Sequence, residues 1–89
     1  MRVDFSKIEV PNIDDTYQNA DIRKSFGTQL YTQGQSKEES ELGHAIWHQK
    51  DEEPLELTDE QIKIAETWIK RIPSYVARSA LLKAIGKCE

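Results

Sequence analysis

From Thr58 to Gly86 the chain carries a capped amphipathic helix that runs through Ile72-Pro73 into a second apolar helix, and this stretch restricts the available folds more than any other. Thr58-Asp59-Glu60-Gln61 has the form of a capping box, and its acids stand in the first turn, where the helix dipole favours them. Projected at about 100° per residue, Ile62, Ile64, Ala65, Trp68, Ile69 and Ile72 fall on one continuous side, and Lys63, Glu66, Thr67, Lys70 and Arg71 on the other. A face that apolar must be covered by the rest of the molecule. Pro73 lacks an amide donor and clashes with the preceding turn, so the first helix ends there and a successor starts. Over Ser74 to Ile85 that successor brings Val76, Ala77, Ala80, Leu81, Ala84 and Ile85 together, and its alanines permit close approach.

The preceding residues supply what this pair packs against. The β-branched and aromatic content of Val3 to Val10 suits a strand. Pro11-Asn12 and Asp14-Asp15 supply turn chemistry, and Thr16 to Ala20 returns as a second strand, making a hairpin. Asp21 is placed to cap a first helix whose Ile22, Phe26 and Leu30 form a narrow stripe, with Gly34 as its stop. Ser36-Lys37-Glu38-Glu39 is a second capping box, opening a helix with Leu42, Ala45 and Ile46 inward. That helix fades by Lys50, because Pro54 and the acids Asp51, Glu52 and Glu53 oppose its extension. Leu55 to Leu57 forms a short extended segment. No repeat, low-complexity tract or linker divides the chain. The expectation is a single α+β domain over residues 1–89, an N-terminal β-hairpin plus a short third extended segment packed with four helices.

An 89-residue chain buries roughly 60–65% of the surface its unfolded state exposes, which leaves little room for both a core and a deep substrate cavity. Hydrophobic residues make up 37% and charged residues 31%, a globular rather than disordered profile. No apolar run approaches the roughly 20 residues of a membrane-spanning helix, and MRVDFSKIEV lacks the apolar stretch of a signal peptide. A cytoplasmic location is therefore expected. Cys88 fits it, since one thiol cannot form an internal disulfide; it is expected to be exposed.

The net charge of −4 conceals a division. Residues 1–60 hold six Lys or Arg against fourteen Asp or Glu, net −8, whereas residues 61–89 hold six against two, net +4. One reading sets the basic helices against the acidic middle of the same molecule. The other makes Lys70, Arg71, Arg78, Lys83 and Lys87, with Lys63, a phosphate-contacting surface beside a helix–turn–helix-like junction. The second is weaker, because Ser74 to Ile85 is mainly alanine and aliphatic where a recognition helix offers a row of polar side chains.

Two further clusters carry candidate chemistry. His44 and His48 have the one-turn spacing that can clip a metal, and Glu41 and Glu52 join them if the second helix persists that far. A zincin would need Glu after the first histidine, where this chain has Ala45, and a structural site normally needs four ligands. Two solvated histidines are the simpler reading, and no metal or cofactor is expected. Trp47 projects away from the Leu42, Ala45 and Ile46 stripe, and Tyr31 away from that of the first helix. With His48 they form a candidate surface for a protein partner, aromatic side chains being enriched at interfaces. The competing expectation is a helix packed on two sides. Neither histidine sits in a nucleophile arrangement, the carboxylates cluster where capping and solubility explain them, and no Gly-rich phosphate loop occurs, so no enzyme is expected.

VDFSKIEV at 3–10, LYTQ at 30–33 and ELTDEQIKIAETWI at 56–69 together resemble small phage or prophage proteins of unassigned role. The resemblance spans most of the chain in the order of its elements. It implies a mobile-element context and a structural or regulatory interaction, and it transfers no catalytic or binding residue.

Overall fold

The segment that reads as one strand, Val3 to Val10, is broken by a turn. Ser6 donates its amide (2.9 Å) and its hydroxyl to Asp4 Oδ1, and the Lys7 amide reaches the Asp4 carbonyl at 3.4 Å. Such local bonds from Asp and Ser compete with ladder pairing. In the computed structural model, which describes residues 1–87, two strands result, β1 (Arg2–Val3) and β2 (Ile8–Pro11). They are followed by β3 (Tyr17–Ala20), α1 (Arg23–Gln33), α2 (Lys37–Trp47), β4 (Leu55–Glu56), α3 (Asp59–Ile69) and α4 (Tyr75–Ala84). The fold is α+β, with four helices and two small antiparallel sheets among the described residues. The expected hairpin is β2–β3, with Ile8 opposite Ala20 and Pro11 opposite Tyr17. The third extended segment, β4, joins β1 instead, with Val3 opposite Leu55. Cys88 lies outside the described residues.

The caps at 36, 58 and 74 form where the side-chain chemistry places them. Thr58 and Gln61 exchange both bonds of a capping box, Ser36 accepts from the Glu39 amide, and Ser74 from the Ala77 amide. Glu39 sends Oε2 to the Trp68 indole N–H (3.0 Å), tying α2 to α3. The first helix has Ile22 rather than Asp21 at its N-cap position, and Ile22 makes no side-chain cap bond. The Asp21 carboxylate accepts the Arg23 amide at 3.1 Å and grips the Arg23 guanidinium at 2.6 and 2.9 Å. Those hydrogen bonds hold the Asp21 pKa below its ordinary value.

One core gathers Val3, Phe5, Ile8, Phe26, Leu30, Leu42 and Ile46 with the inner faces of α3 and α4. On α3 the buried residues are Ile62, Ala65, Trp68 and Ile69, while Ile64 and Ile72 are half-buried. On α4 the buried arc is rotated from the expected one: Leu82 is fully enclosed and Val76 is exposed. Here α4 packs against β2 as well as α3, so its inward direction is set between two neighbours rather than by the apolar stripe alone.

Phe5, at the Asp4–Lys7 turn, is fully buried and stacks on Phe26 with centroids 6.2 Å apart. Its amide donates to Gln49 Oε1 at 2.9 Å, and its carbonyl accepts from the Ile22 amide at 3.0 Å. Gln49, 5% exposed, also donates Nε2 to Asp4 at 2.7 Å, and its carbonyl accepts from Arg23 at 2.8 Å. Burial acts to raise the Asp4 pKa, but the bonds from Ser6 and Gln49 outweigh it and leave the pKa below the ordinary value. The residue just beyond α2 thus clamps that helix to the N-terminal turn.

Candidate functional site

Glycine inside a helix costs about 1 kcal/mol relative to alanine, so Gly27 and Gly43 call for a packing reason. That reason is the α1–α2 contact. A Cβ on Gly43 would stand 2.5 Å from the Tyr31 amide nitrogen and 2.6 Å from the Gly27 carbonyl oxygen; one on Gly27 would stand 2.8 Å from the Gly43 carbonyl oxygen and the Trp47 amide nitrogen. The two backbones touch, and the larger side chains on either side of the contact stand up from it as walls.

Those walls are Tyr31, His44, Trp47 and His48, which with Gly27 and Thr28 line a groove of about 370 Å³. Tyr31 is 56% and Trp47 38% exposed. The His44 and His48 rings lie 4.3 Å apart between centroids, Trp47 and His48 4.8 Å, and Tyr31 and His44 6.1 Å. Lys24 places its ammonium 3.2 Å from the centre of the Trp47 ring, a cation–π contact at the groove's edge. All six lining residues lack a carboxylate, and Glu41, on the same helix, turns to Lys37 at 3.7 Å. The result is an apolar, aromatic groove with a basic edge in a chain that is acidic overall.

Tyr31, Trp47 and His48, expected as a partner surface, therefore come together in one place, joined by His44. The sequence reading did not find Lys24, the two glycines or the Gln49 clamp. The interior glycines were the signal open to it, since a residue that weakens two helices at once points to close backbone approach.

The four-residue metal arrangement does not form. Helix α2 ends at Trp47 with His48 as its cap, Glu52 adopts a left-handed backbone (φ 61°) and faces Lys7 at 3.8 Å, and Glu41 is held by Lys37. Only His44 and His48 remain adjacent, and no group of three His, Cys, Asp or Glu is placed to hold a metal among the described residues.

Three of the C-terminal cations are engaged within the chain, and two others line concavities with residues of the N-terminal segment. Lys70 pairs with Glu66 at 3.4 Å, Arg71 covers the Trp68 ring at 4.6 Å, and Arg78 donates to the Ile72 carbonyl at 2.9 Å. Lys83 lines a concavity with Lys7 and Glu9 beside β2, while Lys87 and Lys63 line another with Met1 and Asp59.

Gly43→Ala tests the helix contact. Overpacking of this kind costs roughly 1–3 kcal/mol, against a helix-propensity gain of about 1 kcal/mol. A net loss of stability in urea is expected, with shifted amide resonances at Tyr31 and Gly27. A neutral or stabilising result would show that the backbones are not in contact.

No family model matches the chain, and no curated protein and no solved structure matches it either.

Proposed function

We propose that this protein is a non-enzymatic protein-interaction module that seats an apolar side chain of a partner polypeptide in the groove between α1 and α2. The single observation that supports the reading most is that the exposed Trp47 and Tyr31 flank one concavity floored by a backbone–backbone contact. Such a floor is pre-organised, so little ordering cost falls on binding. The lining chemistry selects the partner segment: aliphatic or aromatic at its centre, and acidic beside it to face Lys24. The resemblance to small phage or prophage proteins makes a mobile element the proposed source. The alternative, a nucleic-acid-associated regulator using Lys70, Arg71, Arg78, Lys83 and Lys87, has less support because Lys70, Arg71 and Arg78 are already engaged by Glu66, the Trp68 ring and the Ile72 carbonyl.

Selection from a displayed random-peptide library tests the reading. Peptides enriched on the native protein are expected to carry an apolar residue next to Asp or Glu, to shift the Trp47 indole and Gly27 amide resonances, and to lose binding to the Trp47→Ala variant. That variant should stay folded, losing no more than about 1 kcal/mol, because the indole is partly exposed. Absence of enrichment, or peptides that bind Trp47→Ala as well as the native chain, would refute the groove as a docking site.

A further inference from the structure

The hairpin tip between β2 and β3 carries a side chain of the kind this groove would accept. Ile13 is 105% exposed, as open as an isolated residue, and Asp14 and Asp15 follow it directly. An exposed isoleucine is unremarkable in a mobile loop, but this tip is tightly tied. The Asn12 amide donates to the Thr16 carbonyl at 2.7 Å and the Asp15 amide to the Asn12 carbonyl at 3.1 Å. Asp14 Oδ1 accepts from the Thr16 amide at 3.2 Å and hydroxyl at 2.6 Å, while Asn12 Nδ2 donates to the same hydroxyl at 3.0 Å. Asp15 completes the turn in the left-handed region, φ 67°, which Asp tolerates better than most residues. The local bonds leave Ile13 projecting at the turn with no cover from its own molecule.

We infer that the Ile13 tip of one copy docks into the Tyr31–Trp47 groove of a second copy, with Asp14 and Asp15 facing Lys24 at the groove's edge. This rests on the reading of the groove as a protein-docking site and names its occupant as this chain itself. The match has three parts. Apolar meets apolar: an uncovered isoleucine and a groove walled by aromatic rings. Acid meets base: the tip's two carboxylates and a groove edge that holds a lysine and no lining carboxylate. Rigid meets rigid, since both the tied tip and the glycine-closed groove are ordered beforehand and association orders little more.

Tip and groove are different patches, so the contact is heterologous, and each copy offers one of each. Repetition gives a ring if the rotation closes and an open chain if it does not. A single aliphatic anchor with a few charges falls well short of the roughly 1,200–2,000 Å² of a stable interface, and the like net charge of two copies opposes it. The association is therefore weak and matters where copies are concentrated or held side by side.

The test uses the full chain by NMR from micromolar to millimolar concentration. Expected for the native protein are concentration-dependent shifts at the Ile13 and Asp14 amides and at the Trp47 indole, with slower tumbling at high concentration. Ile13→Asp and, separately, Trp47→Ala should each abolish both effects; Lys24→Glu, at an exposed position, is a second groove variant should Trp47→Ala fold poorly. The decisive sample mixes isotope-labelled Ile13→Asp, whose groove is intact, with unlabelled groove variant, whose tip is intact. One interface is then restored, and shifts return at the labelled groove with a limit of a 1:1 dimer. A native chain without concentration dependence, association that survives Ile13→Asp, or a mixture that restores nothing would overturn the inference. Library-selected peptides that still shift the groove in those cases would leave the docking reading standing with another polypeptide as occupant, whereas their failure as well would remove both.

Discussion

Phe5→Ala is expected to cost roughly 3–5 kcal/mol, the range for removing a buried phenylalanine ring. At about 0.05–0.15 kcal/mol per residue, a chain of this length has a total stability of about 4–13 kcal/mol, so the variant stands near the edge of folding. The residue is fully buried and its ring stacks on Phe26, while its backbone binds Gln49 on one side and Ile22 on the other. Removing the ring thus loosens the point where the N-terminal turn, the start of α1 and the segment after α2 meet. Urea melts should show the loss, with Tm falling by roughly 4–8 °C per kcal/mol for a domain of this size. Phe5→Leu, which retains most of the volume, should recover the larger part of it. A Phe5→Ala loss below about 1 kcal/mol would show that the turn is not part of the core.

Ile69→Ala is expected to cost roughly 2–5 kcal/mol. Ile69 is completely enclosed on the inner face of α3, beside Trp68 and one turn from Ala65, so truncation leaves a cavity that neighbouring alanines are too short to fill. Thr58→Ala, at the other end of the same helix, is expected to cost on the order of 1 kcal/mol, because it removes one capping bond and no packed surface. The order of the two values is the informative measurement. An Ile69→Ala loss smaller than that of Thr58→Ala, or below about 0.5 kcal/mol, would place the apolar side of α3 outside the core.

The helix starts at Ser36 and Thr58 were the most legible part of this chain, whereas α3 stops at Ile69, short of the end expected at Pro73. Caps at Ser36 and Thr58 are local chemistry, in which a hydroxyl meets an amide three residues on, and nothing distant is needed to place them. Failures came where a short-range alternative or a second neighbour entered. Val3 to Val10 has strand composition, yet Asp4 and Ser6 satisfy one another locally and break it. Asp21 stands one residue before the N-cap position, where its carboxylate takes the Arg23 amide and guanidinium together. Helix α4 has one apolar stripe but two partners, so its buried arc rotates onto Leu82.

For the candidate site, periodicity alone was enough to set Trp47 and Tyr31 outside the apolar stripes of their helices, because a side chain's angle around a helix follows from its position in the chain. That the two residues share one groove depended on how closely α1 and α2 approach and at what register, which the Gly27–Gly43 contact decides across 16 residues of sequence. The same holds for Lys24 over Trp47 and for Gln49 under Phe5, where partners far apart in the chain meet only when the core has closed. The sequence by itself determined that four helices form and where the second and third are capped, since a cap is a matter of neighbours within a turn. Tertiary structure decided which outward side chains stand together, because that distance is set by backbone packing between elements and by no local rule.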